Sequence, residues 1–251
     1  MDINEIIRIA LKAGELMLVS GAEVYRVEDT IITIFSCYNI ECECFVLLTG
    51  IFICVKDIDL NDITVFRGIK EHNFDLKRME LVNSFSRNLN GKLLSYEDAS
   101  NILEGIENAG HYKLGLRLAA AAVTAFTFSM LFEGSLFDSL AASIISIIVY
   151  YLKEKISKLG FFQFFEYFIS GALVGILSIA AVKIFPGFNI YKIIIGSVMI
   201  LLPGLAITSG IKDALYGDTV SSIYRIAEAV FIVTAVGLGV GIILSVGLNY
   251  Y

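Results

Sequence analysis

Two groups of residues in this chain have types and spacing suited to chemistry. The first is Glu23, Arg26, Glu28 and Asp29, inside "SGAEVYRVEDTI". Glu23 and Arg26 are three residues apart, so on a helix they can pair across one turn, worth about 0.2–0.5 kcal/mol. The same block could instead present charge as a docking surface. The second group is Pro203, Gly204, Thr208, Ser209, Asp213, Arg225 and Glu228, spread along "PGLAITSGIKDALYGDTVSSIYRIAEA". Proline removes a backbone donor and disturbs the preceding turn. In lipid the freed carbonyl needs another partner, and helix ends beside such breaks present backbone groups to charged substrates. The half-helix beginning near Leu205, with Thr208 and Ser209, suits an anion at its N-terminus. A packing kink satisfied by a neighbouring helix is the competing explanation. Glu228 lies inside an apolar run, where a carboxylate is costly and faces protein or a water-filled path. Asp213, Arg225 and Glu228 could gather at one membrane face.

No nucleophile–His–acid set, metal spacing or phosphate loop accompanies these residues. The chemistry they suit is binding and charge compensation. No catalytic residue, cofactor or metal is expected. Without a Walker sequence, any transport draws on an ion gradient or the substrate's own gradient. Cys37, Cys42, Cys44 and Cys54 cluster near the N-terminus, but Cys42-x-Cys44 is not a zinc spacing, and His72 and His111 are isolated. They read as reduced, partly buried thiols.

The elements that must hold these groups follow from composition. The chain has 251 residues, 57% hydrophobic and 18% charged, with a mean hydropathy of +0.76, well above a soluble mixture. Charge concentrates before residue 114 and long apolar runs after it. This divides the chain into a soluble α+β domain, residues 1–112, and an all-α membrane domain of about five transmembrane helices, residues 113–251. The net charge of −6 and the absence of Lys/Arg blocks exclude a nucleic-acid surface. The N-terminus carries Asp2, Glu5 and Glu15, unlike a secretory signal.

In the first part, Asp2 to Val19 shows helical spacing of Ile3, Ile6, Ile7, Ala10, Leu11 and Leu18. Ser20 and Glu23 have capping-box spacing, which predicts that a second helix starts there. "ECECFVLLTGIFICVKD" predicts two strands with a turn at Thr49-Gly50, and "DITVFRGI" a third. "FDLKRMELVNSFSRNL" predicts a helix closed at Asn90-Gly91. "SYEDASNILEGIEN" predicts another, capped by Ser95.

The second part offers spans near 114–132, 136–152, 161–185, 190–211 and 226–248, each close to the ~20 residues that cross ~30 Å of hydrocarbon. The second is short, and Asp138 must sit at an interface or face protein. Glu133 and Asp138 read as an external hairpin, and Glu166 as a carboxylate that snorkels to the interface. Gly237, Gly239 and Gly241 predict close packing on another helix. Lys113, Arg117 and "KEKISK" favour a cytoplasmic N-terminal domain, a cytoplasmic second loop and an external Tyr251, although Lys183 and Lys192 count against it.

"AGELMLVSGAEVYRVEDTI" resembles the signature of the threonine/serine exporter family. "PGLAITSGIKDALYGDTVSSIYRIAEA" resembles its Pro-Gly and Arg/Lys-Asp segment, and "LFEGSLFDSLAASI" its acidic hairpin. Here Lys212 stands where Arg is common, Ser221-Ser222 where Gly is common, and "LFEGS" replaces a Gly-Gly pair. The resemblance covers nearly the whole chain. Single-chain members carry about twice as many spans, so it implies the large subunit of the split form, with a small second membrane subunit as partner. It implies a multi-pass exporter of the cell membrane, moving threonine, serine, or a dicarboxylate such as succinate. A membrane-anchored enzyme and a regulatory scaffold are the alternatives. The resemblance also gives the Glu23–Asp29 block weight as a functional or docking motif.

Overall fold

A computed structural model describes residues 1–56, 62–70, 72–91, 93–110 and 112–248. His111 and Tyr251 therefore lie outside the described residues. The chain falls into two compact units: Met1–Gly110 with Leu205–Ile226, and His111–Gly204 with Ala227–Tyr251. The described residues are mostly helical, with one small sheet near the N-terminus.

The first unit begins with α1 (Ile3–Val19). Asp2 and Glu5 form a capping box at its start, satisfying donors the first turn leaves open. After a tight turn, α2 spans Val24–Cys37. Strands β1 (Cys42–Leu47), β2 (Gly50–Lys56) and β3 (Asp62–Gly68) form an antiparallel sheet in that order. Leu47 faces Gly50 across the first hairpin, and Ile69 N–H donates to Thr49 O at 2.8 Å to close the second edge. Alternation along β2 sends Ile51, Ile53 and Val55 into the core and leaves Phe52 and Lys56 exposed. α3 (Leu76–Leu89) is capped by Asp75 and α4 (Tyr96–Glu107) by Ser95.

These elements share one core, with Phe35, Met17, Ile31, Leu89 and Leu103 almost fully buried. Each large side chain so buried contributes about 1.5–3 kcal/mol. Gly14 lets α1 approach this core closely, because a Cβ there would stand 2.8 Å from Ile31 Cδ1. α9 (Gly204–Leu215) and the first turns of α10 (Thr219–Leu248) complete the unit.

The capping box expected at Ser20 and Glu23 does not form. α2 does start at Val24, but Glu23 makes no side-chain cap. Ser20 instead ends α1, and its hydroxyl is buried with no partner among the described residues. The reason is the turn between them: Gly21 takes φ +85°, which points the Glu23 carboxylate elsewhere.

The second unit holds α5 (Leu114–Leu131), α6 (Leu136–Ser157), α7 (Gln163–Ile184), α8 (Ile190–Val198) and the remainder of α10. Among the described residues, four helices are long and apolar enough to cross a membrane, or five if α8 and α9 count as one broken span. The chain is a multi-pass membrane protein. α6 is not short: it continues through Lys153 and Glu154 to Ser157. Its charges are accommodated, with Glu154 accepting from Arg117 at 2.9 Å and Lys153 Nζ 3.9 Å above the Tyr167 ring. Asp138 faces protein. It is buried, forms a capping box with Ser135, and accepts the Asn189 N–H at 2.8 Å. Glu133 takes φ +63°, a region that favours glycine. Glu166 is buried in the first turn of α7, so its carboxylate is less exposed than a snorkelling group.

Of the three glycines expected to pack, Gly239 alone touches α7, against the Phe168 carbonyl and Ala172 N; Gly237 and Gly241 have open space at Cβ among the described residues. At about 100° per residue, positions two apart fall on opposite faces while positions four apart share one. α7 answers with Gly171, whose Cβ would stand 2.5 Å from Val236 O.

Candidate functional site

The site is the turn between α1 and α2 and what α9 and α10 bring to it, all within the first unit. Gly21 makes the turn possible twice over. Its φ is +85°, and a Cβ there would lie 2.7 Å from the Phe74 ring. The turn leaves the carbonyls of Gly21 and Ala22, and the first N–H of α2, facing a buried space.

Arg225 and Asp213 fill that space. The Asp213 carboxylate is fully buried and accepts the Val24 N–H at 3.0 Å. It caps α2 from another helix, where negative charge is favoured by the helix dipole. Its second oxygen accepts from Arg225 Nε at 2.9 Å. The Arg225 side chain is 5% exposed. Its Nη2 donates to Ala22 O at 2.6 Å and its Nη1 to Gly21 O at 3.5 Å. A buried ion pair holds only when its remaining donors and acceptors are also met, and here the turn's backbone meets them.

A second contact lies beside it. Lys212 Nζ donates to Glu23 Oε1 at 2.8 Å, and Arg26 Nη1 reaches Glu23 Oε2 at 3.3 Å. Burial opposes ionisation of Glu23, but the Lys212 ammonium, the backbone and Arg26 outweigh it and hold the carboxyl below its usual range. Tyr25 and Tyr216 stack with centroids 3.8 Å apart. Next to the stack, a cavity of about 390 Å³ is lined by Glu28, Phe45, Tyr216 and Asp218, among others. Burial pushes the Glu28 carboxyl up, the Val46 N–H offsets this only in part, and Asp218 and Asp29 add to the rise.

Sequence reasoning named Asp213, Arg225, Glu23 and Arg26, and these come together. Glu28 lines the adjoining cavity, and Asp29 is exposed on α2. Ser209 is buried on α9, while Thr208 is exposed and donates to Leu205 O at 3.0 Å. The chain does break at Pro203: Leu202 is extended (ψ 138°) before it, as the residue before proline prefers, and α9 restarts at Gly204. Glu228 belongs to the second unit and is half-buried.

Gly21, Tyr25, Lys212, Tyr216 and Asp218 were not singled out as site residues. Asp218 had a readable signal. Gly217, at φ +93°, ends α9, and Asp218 Oδ1 then accepts the Ser221 N–H at 3.0 Å, the ordinary glycine-stop and Asp-start pattern. The Cys42 and Cys44 thiols are pushed up by burial, to about 11 and about 12, so both stay protonated and unreactive near neutral pH. No group of three metal-ligating side chains occurs among the described residues.

Comparison with known proteins gives a consistent assignment. The family described as "Putative threonine/serine exporter" (ThrE) matches residues 8–247. The "Probable threonine/serine exporter" of Mycobacterium tuberculosis is 22% identical over 246 residues, covering 96% of this chain and 46% of that protein. The "Threonine/serine exporter" of Corynebacterium glutamicum is 22% identical over 258 residues, covering 94% of this chain and 50% of that protein. The chain thus spans about half the length of these curated relatives. No solved structure matches it. The match runs through both motif blocks that meet at the α1–α2 turn, and the chain belongs to the threonine/serine exporter family.

Proposed function

We propose that this chain is one half of an exporter of small amino acids or dicarboxylates, of the threonine/serine or succinate class. A smaller membrane protein of the same family supplies the remaining spans. The N-terminal residues 1–112 form a soluble cytoplasmic domain and residues 113–251 the membrane domain. The substrate path includes Pro203, Gly204, Thr208, Ser209, Asp213, Arg225 and Glu228, and the Glu23, Arg26, Glu28 and Asp29 block serves coupling rather than catalysis.

One observation carries this reading: the Asp213–Arg225 pair and its bonds to Gly21, Ala22 and Val24. Two segments nearly 200 residues apart are joined by groups that satisfy each other and leave nothing to react. That is a mechanical link. α9 starts at the Pro203 break and ends on α2, so a shift of the α1–α2 turn pulls on the helix that follows the break. Transporters place binding at such breaks. The need for a partner is supported by Gly237 and Gly241, whose small surface suits close helix packing.

The test is efflux of labelled L-threonine, L-serine and succinate from cells expressing this chain alone, a small family membrane protein alone, or both. Flux is expected with both only. Full flux from a purified homo-oligomer of this chain would contradict the two-part reading.

A further inference from the structure

A second cavity in the first unit lies apart from the Asp213–Arg225 pair and shares Tyr25 and Arg26 with the contacts beside it. It measures about 490 Å³ and lies between α2 and α3, lined by Tyr25, Arg26, Asp29, Thr33, Asn83 and Arg87 together with Thr30 and Ser86. Every lining residue is polar. Thr30 and Ser86 are buried, 4% and 2% exposed, and are already satisfied, Thr30 by Arg26 O and Ser86 by Asn83 O. They form a fixed polar floor. Around it stand two guanidinium groups from different helices and a single carboxylate. With Glu23 paired to Arg26, two guanidiniums stand against two carboxylates, so the concave site presents both signs of charge and complements a ligand that carries both. Arg26 is anchored to Glu23 on one side only, at 3.3 Å. No ion pair engages Arg87 among the described residues.

We infer that this cavity is an effector site for a small α-amino acid in its zwitterionic form. This rests on the exporter reading above and adds regulation to it. Arg26 and Arg87 take the carboxylate, for which guanidinium geometry is suited. Asp29 takes the ammonium. Thr33 and Asn83 supply hydrogen bonds for a polar side chain such as a hydroxyl. Coupling runs through Glu23, which Arg26 and Lys212 share. A ligand that draws Arg26 into the cavity leaves Glu23 to Lys212, and the hold of α2 on α9 tightens. Cytosolic amino acid thus sets the state of the segment that follows the Pro203 break.

The test uses the full chain in lipid nanodiscs and calorimetric titration with L-serine and with succinate. Saturable L-serine binding is expected, at least tenfold weaker in Arg87→Gln. Asp29→Asn should weaken L-serine and strengthen succinate, an inversion that misfolding does not produce. Circular dichroism melting of both variants checks that they fold. Saturable binding that is equal in wild type and Arg87→Gln overturns the site, as does absence of L-serine binding to wild type. Efflux with the partner, measured on the same variants, separates the two readings. Flux with Arg87-independent binding removes only the effector site, whereas Arg87-dependent binding without flux removes only the exporter reading.

Discussion

Arg225 Nε stands 2.9 Å from Asp213 Oδ2, and each residue spends its remaining capacity on the turn between α1 and α2. Neither charge meets water. Coulomb attraction alone does not compensate such desolvation, and the pair persists because Gly21 O, Ala22 O and Val24 N–H complete it.

Removing one partner should therefore be more damaging than weakening it. Asp213→Ala strands the Arg225 guanidinium and uncaps α2, and should destabilise the protein by about 3–5 kcal/mol. Asp213→Asn keeps an acceptor for Val24 N–H and should cost clearly less. Thermal melting of the two variants in the same lipid gives the comparison. Equal melting temperatures would mean the pair does not hold the turn.

Acid should loosen the neighbouring contact. The folded Glu23 carboxyl lies below its unfolded value, about 4.3. Its stabilisation is thus present in full above the unfolded value and lost as pH falls through the folded one. Glu28 has the opposite sign: its raised carboxyl makes stability fall as pH rises from the unfolded value through the folded one. Glu23→Gln should flatten the acid limb of a melting-temperature profile, and Glu28→Gln the limb above it. A Glu23→Gln profile that overlays wild type above about pH 5, where the contact contributes in full, would reject the Lys212 contact as a source of stability. The effect is modest, because Lys212 is half exposed and screened.

Pro203→Ala distinguishes a binding break from a packing kink. Alanine restores a backbone donor and removes the ring, so it permits the helix to run through Leu202 without adding side-chain bulk. If substrate uses the backbone there, apparent affinity for efflux should fall about tenfold with expression unchanged. Unchanged affinity in both Pro203→Ala and Thr208→Ala would remove the binding role.

The proposed orientation rests on the basic residues at the C-terminal end of α6. In a background without native cysteines, Ile156→Cys should label from the cytoplasm and Tyr250→Cys from outside. Labelling of both from one side would mean an even number of crossings.

Local structure was legible where the signal is local. Ser95 caps α4 as its position suggests, and the alternation of β2 shows which face is buried. Ser20 and Glu23 misled because capping-box spacing assumes a regular N-terminus, and the left-handed Gly21 between them reorients the chain. α6 runs past the expected 152 because Lys153 and Glu154, which read as loop residues, are received by Tyr167 and Arg117. Gly237, Gly239 and Gly241 look equivalent in sequence, but the helical period puts the middle one alone on α7. Asp213 and Arg225 stand out in sequence as charges that could gather with Glu228. Their target does not, since no local pattern links them to a backbone turn some 200 residues earlier; only the family motifs tied the two regions together.

The central claim is that the α1–α2 turn controls flux through its hold on α9. The direct measurement is uptake of labelled L-threonine, L-serine or succinate by proteoliposomes containing this chain and the proposed small partner, comparing wild type with Arg225→Gln at matched, folded protein levels. The account predicts flux in wild type and at least tenfold less in Arg225→Gln, with the variant still assembled with its partner. Equal flux in the two, or no flux of any of these substrates in wild type, would contradict it.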